Sequence, residues 1–273
     1  MNNSKPNQKT PPIAYSCYYT QNREGEQFAA EHVLSFQISG TLTLNNGNKE
    51  YIFKPGDFRF IKRNQLIKFL KQPDPNVGFQ SISIYLNQDT LRDFSIKYNQ
   101  KASLIKKPET EAVFQLKEVP LLKSFMDSLI PYINEDQLIN QDLQTLKTNE
   151  AIHLLLKINP ELKDVLFDFN EPGKIDLEAF MNKNFHFNVQ LNRFAYLSGR
   201  SLATFKRDFQ KIFQETPGHW LLDKRLQEAY YLIKEKGKTP SEVYLNVGFE
   251  DLSHFSFTFK KKFGITPSTV SSK

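Results

Sequence analysis

The 273-residue sequence has one cysteine, Cys17, and no stretch of about 18 apolar residues. A single cysteine excludes an intramolecular disulfide and fits a reducing compartment. The missing apolar stretch predicts a protein without a membrane-spanning helix. Residues 1–12 are polar, contain three prolines and lack the apolar core of a signal peptide. We therefore expect a cytoplasmic protein whose first twelve residues are disordered.

The sequence also lacks the clusters of side chains that metal binding and catalysis need. Its five histidines are scattered, no His-x-His pair occurs, and His32 stands alone among the predicted strands. A lone histidine at a strand start is more often structural than a metal ligand. Cys17 has no neighbouring histidine that could activate its thiol. The sequence thus predicts no metal, no cofactor and no enzymatic activity.

Positive charge is confined to one part of the chain. Residues 172–273 carry 16 Lys and Arg against 10 Asp and Glu, whereas residues 1–171 carry 20 of each. A solvated basic surface would explain the total of +6 but not its restriction to one segment. This distribution favours a phosphate-facing surface in the C-terminal third.

A strand-rich domain is predicted over residues 13–110, with short strands from Ile13 to about Leu86 and a helical pattern from about Leu91. Alternating or β-branched segments are separated by turn signals at Gly40, at Asn46-Gly47 and at Pro55-Gly56-Asp57. Many short strands at close spacing are typical of a small barrel or sandwich. A basic cluster near one strand end either binds an anionic ligand or partner, or forms a solvated rim, which we favour; its members are Arg59, Lys62, Arg63 and Lys68.

Residues 111–170 predict helices that either pack on the barrel or form a dimer contact. Apolar residues recur at helical spacing in two groups; they are Val119, Leu121, Leu122, Phe125, Leu129, Ile130, Leu143, Leu146, Ile152, Leu155, Leu156 and Ile158. Pro131 interrupts the first group, and Asn159-Pro160 ends the second. The stretch 170–173 combines polar residues with proline and glycine, and predicts the domain boundary.

Two helices joined by a tight turn are predicted at residues 189–211. Gly199 permits the left-handed backbone that ends the first helix, and Ser201 is a suitable N-cap for the second. Apolar residues of the second helix are expected to face the core; they are Leu202, Phe205, Phe209, Ile212 and Phe213. The opposite side is small, polar or basic, which is typical of a helix-turn-helix unit.

A second copy of this pattern follows at residues 239–263. Gly248 marks the turn, and Phe255 and Phe259 repeat Phe205 and Phe209 fifty residues later, with Leu252 also expected inside. Between the copies, a linker helix is predicted over residues 217–236, starting at a proline.

The two copies and their linker resemble the DNA-binding domain of the AraC/XylS family of bacterial transcription regulators. The resemblance rests on FKRDF, TPGHWLLDKRLQEA and VGFEDLSHFSFTFKKKFGITPS. It implies an all-α domain over residues 171–273. The stretch from His32 to Asn64, mainly through its turns at Gly40 and Pro55-Gly56-Asp57, resembles the cupin-type jelly roll at the N-terminus of many members. Together the two resemblances imply an α+β protein in which a cupin-like β-barrel with packed helices precedes the all-α domain. The stretch from His32 to Asn64 is most similar to the ExsA-like subset, in which the sensory domain can answer to a protein partner. An effector for this chain is thus either a small molecule or a protein.

The resemblance also implies double-stranded DNA and RNA polymerase as partners, and homodimerisation in some members. Its two recognition helices are expected to enter successive major-groove segments about 34 Å apart. We expect an activator with no membrane association, and the candidate DNA-binding residues are Arg200, Ser201, Ala203, Thr204, Lys206, Arg207, Lys211, Ser253, His254, Ser256, Phe257, Lys260 and Lys261.

The second copy departs from the family pattern at two positions. Phe257 stands where an arginine is usual, so it either contacts a thymine methyl or is buried against a neighbouring helix. Tyr244 stands where a small alanine is usual. These departures favour an alternative function, a protein-interaction adaptor with weakened DNA binding.

Overall fold

The computed structural model describes residues 12–21, 27–103, 111–134 and 140–271. Most of the predicted disordered segment therefore lies outside the described residues. The chain divides into two compact units: unit 1 comprises residues 1–24 and 29–170, and unit 2 comprises residues 25–28 and 171–273.

Unit 1 begins with antiparallel sheets. A five-stranded sheet has the order β1-β9-β3-β6-β10, and a three-stranded sheet has the order β5-β4-β8. The strands are β1 Ile13–Tyr18, β2 Phe28–Ala29, β3 His32–Ser39, β4 Thr41–Asn45, β5 Glu50–Phe53, β6 Phe58–Ile61, β7 Gln65–Leu66, β8 Lys68–Gln72, β9 Phe79–Leu86 and β10 Val113–Leu116. The predicted strand-rich domain is confirmed as an open, cupin-like arrangement rather than a closed barrel.

Side-chain alternation gives the five-stranded sheet two different faces. Leu34 of β3 pairs in register with Phe60 and Ile84, and this face packs against helices of the same unit. On the other face, Phe79 and Val113 join the apolar residues of the three-stranded sheet, among them Phe53. Both faces of the large sheet are therefore covered, which explains why so many aromatic residues are needed as core.

Helices complete unit 1. They are α1 Gln88–Lys97, α2 Pro120–Asp127, α3 Ile130–Asn134, α4 Gln141–Ile158 and α5 Lys163–Leu166, with a 3₁₀ turn at Pro160–Leu162. Leu122, Phe125 and Ile152 of the predicted stripes are buried and pack into the core of unit 1. Four residues of the predicted apolar stripes are exposed, so the stripes are not buried along their whole length within the described part of unit 1; they are Leu121, Ile130, Leu143 and Leu146.

The basic cluster does not form a solvated rim, because two of its arginines are buried. Arg59 is 3 % exposed and Arg63 is 6 % exposed. Arg63 donates hydrogen bonds from Nη2 to the carbonyl oxygens of Asp168 and Asn170, at 2.9 and 2.7 Å. It thereby fastens the end of unit 1 to the strand region. Arg59 donates from Nη1 to the amide oxygen of Gln37, at 3.1 Å.

Unit 2 is helical over the residues described between 171 and 271. Its helices are α6 Leu177–Asn184, α7 Leu191–Leu197, α8 Leu202–Phe213, α9 Pro217–Lys234, α10 Pro240–Asn246, α11 Leu252–Phe263 and α12 Pro267–Ser271. No helix in the described part of the chain is both long and apolar enough to cross a membrane.

The two predicted copies have matching cores. Phe205 and Phe209 of α8 are completely buried, as are Phe255 and Phe259 of α11. The expected burial is wrong for Leu202, Ile212 and Leu252, which are exposed. These three residues lie in the first or last turn of a helix, where the inner stripe runs past the edge of the core.

Candidate nucleic-acid interface

The first helix-turn-helix unit depends on one glycine and one serine. Gly199 has a φ of +68°, and a Cβ atom there would lie 2.4 Å from the carbonyl carbon of Gly173. Both the backbone conformation and the close approach therefore require glycine. Ser201 caps α8 by accepting a hydrogen bond from the backbone N–H of Thr204 at 3.2 Å. The sequence predicted both features.

The side of α8 opposite its buried phenylalanines is open to solvent. Ala203, Lys206, Arg207 and Lys211 are exposed, and Thr204 is half-buried. The side chain of Arg207 is 65 % exposed, and its Nε lies 3.7 Å from a carboxylate oxygen of Asp208. Lys206 and Arg207 therefore do not point into the core, and both are free to meet a ligand.

Arg200 is placed differently from the other candidates. Its side chain is 8 % exposed, and its Nε lies 3.1 Å from a carboxylate oxygen of Asp208. Nη1 donates to the carbonyl oxygens of Ile175 and Ser198, at 3.0 and 2.7 Å. The turn before α8 is thereby tied to the helix itself and to the start of unit 2. This geometry favours a positioning role for Arg200 over a phosphate contact.

Asp208, the ion-pair partner of Arg200, was not among the candidate residues from the sequence. It lies eight residues after Arg200, and this spacing alone did not indicate that the two side chains meet. The hydrogen bond from Arg200 lowers the pKa of Asp208, with smaller contributions from the positive charges of Lys174 and Arg207. An ionised Asp208 is the partner that a guanidinium needs, so the pair is charged at neutral pH.

The second helix-turn-helix unit is built on different caps. Thr239 and Glu242 form a reciprocal capping box at the start of α10. Gly248 forms the turn with a φ of +100°. Asp251 then caps α11 by accepting the backbone N–H of His254 at 2.6 Å. Asp251 is a favoured N-cap type and could have been found from its place before the apolar stripe.

The outward side of α11 carries most of the predicted residues. Ser253, His254, Phe257, Lys260 and Lys261 are exposed, and Ser256 is half-buried. Phe257 is 70 % exposed. Burial of Phe257 against a neighbouring helix, one of the two alternatives from the sequence, is therefore wrong.

Two other residues of the second unit belong to the interior. Lys262 is partly buried and forms an ion pair with Asp223 of α9, so it does not share the outward role of Lys260 and Lys261. Tyr244 is partly buried against the core that contains Val243. The core around α10 accommodates the larger side chain at this position.

The linker helix holds a partly buried arginine that sequence analysis did not single out. Arg225 donates from Nε to the carbonyl oxygen of Phe185 and from Nη2 to that of Phe187, both at 2.8 Å. Nη1 donates to the carbonyl oxygen of Gly248 at 3.1 Å. Burial lowers the pKa of Arg225 to about 10, so it remains charged at neutral pH.

No set of three or more His, Cys, Asp or Glu side chains that could hold a metal occurs among the described residues. His32 is buried, and its Nδ1 accepts the backbone N–H of Arg63 at 3.1 Å. This contact identifies His32 as a structural residue of unit 1.

Two families match consecutive parts of the chain. The ExsA N-terminal regulatory domain family matches residues 32–165, and a helix-turn-helix domain family matches residues 195–273. The first match begins at β3 and includes the later strands and the helices of unit 1 as far as α5, and the second begins in the last turn of α7 and includes α8 to α12.

Individual relatives agree with these matches. The chain is 23 % identical over 239 residues to the HTH-type transcriptional regulator ExsA of Pseudomonas aeruginosa, covering 85 % of this chain and 82 % of ExsA. It is also 23 % identical over 239 residues to the virulence regulon transcriptional activator VirF of Yersinia enterocolitica, covering 85 % of each. The uncharacterized HTH-type transcriptional regulator YidL of Escherichia coli is 41 % identical over 70 residues, which is 26 % of this chain and 24 % of YidL. With an ExsA-type regulatory domain followed by paired helix-turn-helix units, the chain belongs to the AraC/XylS family of transcriptional regulators.

Proposed function

We propose that this protein activates transcription by binding operator DNA through both recognition helices, α8 and α11, in successive segments of the major groove. The observation that carries the proposal is the outward side of α8. There, Lys206 and Arg207 stand exposed opposite the completely buried Phe205 and Phe209. A helix fixed by aromatic packing on one side and donor-bearing on the other is suited to contact base edges.

Distinct roles follow from the chemistry of each side chain. Arg207 has the planar donor pair that matches O6 and N7 of guanine. Lys206 and Lys211 border it, and Lys260 and Lys261 extend the cationic surface onto α11, where they neutralise phosphates. Ala203 and Thr204 lie on the first outward face, and Ser253, His254 and Ser256 on the second. In this proposal α8 supplies more of the base specificity, and α11 mainly contacts the phosphate backbone of the DNA.

Unit 1 is proposed as the regulatory part. An effector, either a small molecule or a protein, shifts the populations of DNA-binding and inactive arrangements, and self-association contributes in the same way. The match to an ExsA N-terminal regulatory domain supports this role. VirF is named as a transcriptional activator, which supports activation as the outcome. Recruitment of RNA polymerase is the route that we propose for it. We place the protein in the cytoplasm and assign it no catalytic role.

The alternative function is a protein-interaction adaptor with weakened DNA binding. The exposed Phe257 favours it, because an apolar side chain replaces a donor at the centre of a recognition helix. Tyr244 no longer adds to that argument, since it packs into the core of its own unit.

Gel-shift titration of the full chain on its own upstream DNA, at several salt concentrations, separates the two functions. DNA binding through Lys and Arg predicts that log K falls linearly with log salt, by about 0.9 per neutralised phosphate. Lys206→Ala and Lys260→Ala should each reduce that slope by about 0.9, if each contacts one phosphate. Lys236→Ala is the matched control, because Lys236 is exposed but lies beyond the C-terminal end of α9. Binding without a salt slope, or no binding, would favour the adaptor.

A further inference from the structure

Phe257 occupies the centre of the outward face of α11. Helical spacing places Ser253 and His254 one turn before it and Lys260 and Lys261 one turn after it, and all four are exposed. Phe257 is itself 70 % exposed, and no ring contact joins it to another aromatic residue in the described part of the chain. A single exposed apolar residue is common on protein surfaces, so exposure alone decides nothing.

The internal repeat shows which residue of the first recognition helix corresponds to Phe257. Helices α8 and α11 each have 12 residues, and the fourth and eighth residue of each is a completely buried phenylalanine. Arg207 and Phe257 are both the sixth residue, so they hold the same place relative to the two cores. One recognition helix therefore presents a guanidinium at its centre, and the other presents a benzyl ring.

The major groove offers one apolar group on its base edges, the C5-methyl group of thymine. A benzyl ring cannot pair with guanine or with phosphate, but it can pack against that methyl group. Resting on the proposed DNA-binding function, we infer that Phe257 is a specificity-determining residue for thymine. The two halves of the operator then differ in chemistry. Helix α8 selects guanine through the hydrogen-bond donors of Arg207, and α11 selects the methyl group of thymine through Phe257.

Replacing thymine by deoxyuridine removes this methyl group and keeps the base pair, so it isolates the contact. Binding duplexes are first selected from a randomised pool with the full-length protein. Each thymine of the selected sequence is then replaced singly by deoxyuridine, and affinity is measured by fluorescence anisotropy. We expect one or two thymines in one half of the site to weaken binding about fourfold when replaced, which is the effect of burying one methyl group.

The variants test whether Phe257 is the partner of that methyl group. Phe257→Ala should weaken binding to the thymine duplex by a similar factor or more, and should bind the thymine and deoxyuridine duplexes equally. Phe257→Leu, which keeps an apolar side chain, should retain part of the discrimination. Tyr231→Ala is the control, because Tyr231 is an exposed aromatic residue on α9 and should preserve the full methyl effect. The exposure of Phe257 makes unfolding of its variants unexpected, and their thermal melts check this.

Two results would overturn the inference while leaving DNA binding intact. In one, the wild-type protein binds the selected site but tolerates deoxyuridine at every thymine. In the other, Phe257→Ala keeps the wild-type affinity and the whole methyl effect; reduced transcription by this variant would then assign Phe257 to a protein contact. Failure of the proposed function is recognised separately, because no sequence would then be enriched from the pool, and the inference would fall with it.

Discussion

The Nη1 atom of Arg225 lies 3.1 Å from the carbonyl oxygen of Gly248, so the linker helix holds the turn of the second helix-turn-helix unit directly. The other guanidinium donors of Arg225 bind the carbonyl oxygens of Phe185 and Phe187, which precede the first helix-turn-helix unit in the sequence. A Cβ atom at Gly248 would lie 2.9 Å from Nε of Arg225, which shows how closely the turn approaches. One side chain thus connects the segments that carry both recognition helices.

We expect Arg225→Met to destabilise unit 2 by about 3 kcal/mol, because three partly buried hydrogen bonds to carbonyl oxygens are lost at once. The stability of Arg225→Lys should lie between that of the wild type and that of Arg225→Met, since one ammonium group cannot reproduce the planar set of donors. Urea unfolding followed by the fluorescence of Trp220, the single tryptophan, measures the change. Lys234→Ala on the exposed side of the same helix is the control and should leave stability within about 0.5 kcal/mol. Equal stability of Arg225→Met and the wild type would contradict the proposed tie.

Arg200 either positions α8 or contacts a phosphate, and loss of DNA binding alone would not distinguish these two roles. If it positions α8, Arg200→Ala should lower affinity and thermal stability while the salt slope of DNA binding stays unchanged. If it contacts a phosphate, the slope should fall by about 0.9. Asp208→Asn keeps the shape of the partner but removes its charge, and should reproduce the Arg200→Ala effect only in the first case. We expect the first result, because Arg200 is largely buried against Asp208.

The order of importance between the two recognition helices is a further prediction. Arg207→Ala should relax discrimination at one base pair by about 1–3 kcal/mol, which is the worth of a bidentate contact. Ser256→Ala should change discrimination much less, since Ser256 is half-buried and carries a single hydroxyl donor. Competition binding with single-base variants of the selected site measures both. The ordering is wrong if Arg207→Ala keeps its discrimination and Ser256→Ala loses it.

His32 should make unit 1 sensitive to acid. Burial, with the charges of Arg63 and Lys62, lowers the pKa of His32 to about 3 in the folded chain, against about 6.5 in the unfolded chain. The neutral His32 side chain therefore contributes fully to the free energy of unfolding above about pH 6.5. This contribution is lost as the pH falls toward 3, because the unfolded chain takes up a proton that the folded chain does not. Between pH 7 and pH 5 the loss should reach about 2 kcal/mol.

His32→Asn tests this effect, since asparagine can accept the backbone N–H of Arg63 without titrating in this range. Urea unfolding at pH 7 and pH 5, followed by far-UV circular dichroism, should show a smaller pH dependence for the variant. His219→Asn is the control, because the His219 side chain is 70 % exposed in unit 2. An unchanged pH dependence in His32→Asn would rule out His32 as the sensor.

The sequence predicted local structure best where one physical rule acts alone. Gly199 and Gly248 take left-handed conformations that other residues avoid, and Pro217 starts the linker helix because it needs no N–H donor there. The repeated phenylalanines at fifty-residue spacing fixed the two inner stripes. Helical periodicity failed at Leu202, Ile212 and Leu252, because periodicity shows direction but not where a core ends.

What the sequence by itself determined is the helix-turn-helix pair and the residue types on its outer faces. Only the tertiary structure decided which charged residues are available to a ligand. Arg200, Arg207 and Arg225 have the same side chain, yet Arg200 and Arg225 bind carbonyl oxygens inside unit 2, and Arg207 faces solvent. The physical reason is that a guanidinium binds whichever acceptors come within about 3 Å, and those acceptors come from segments distant in the chain.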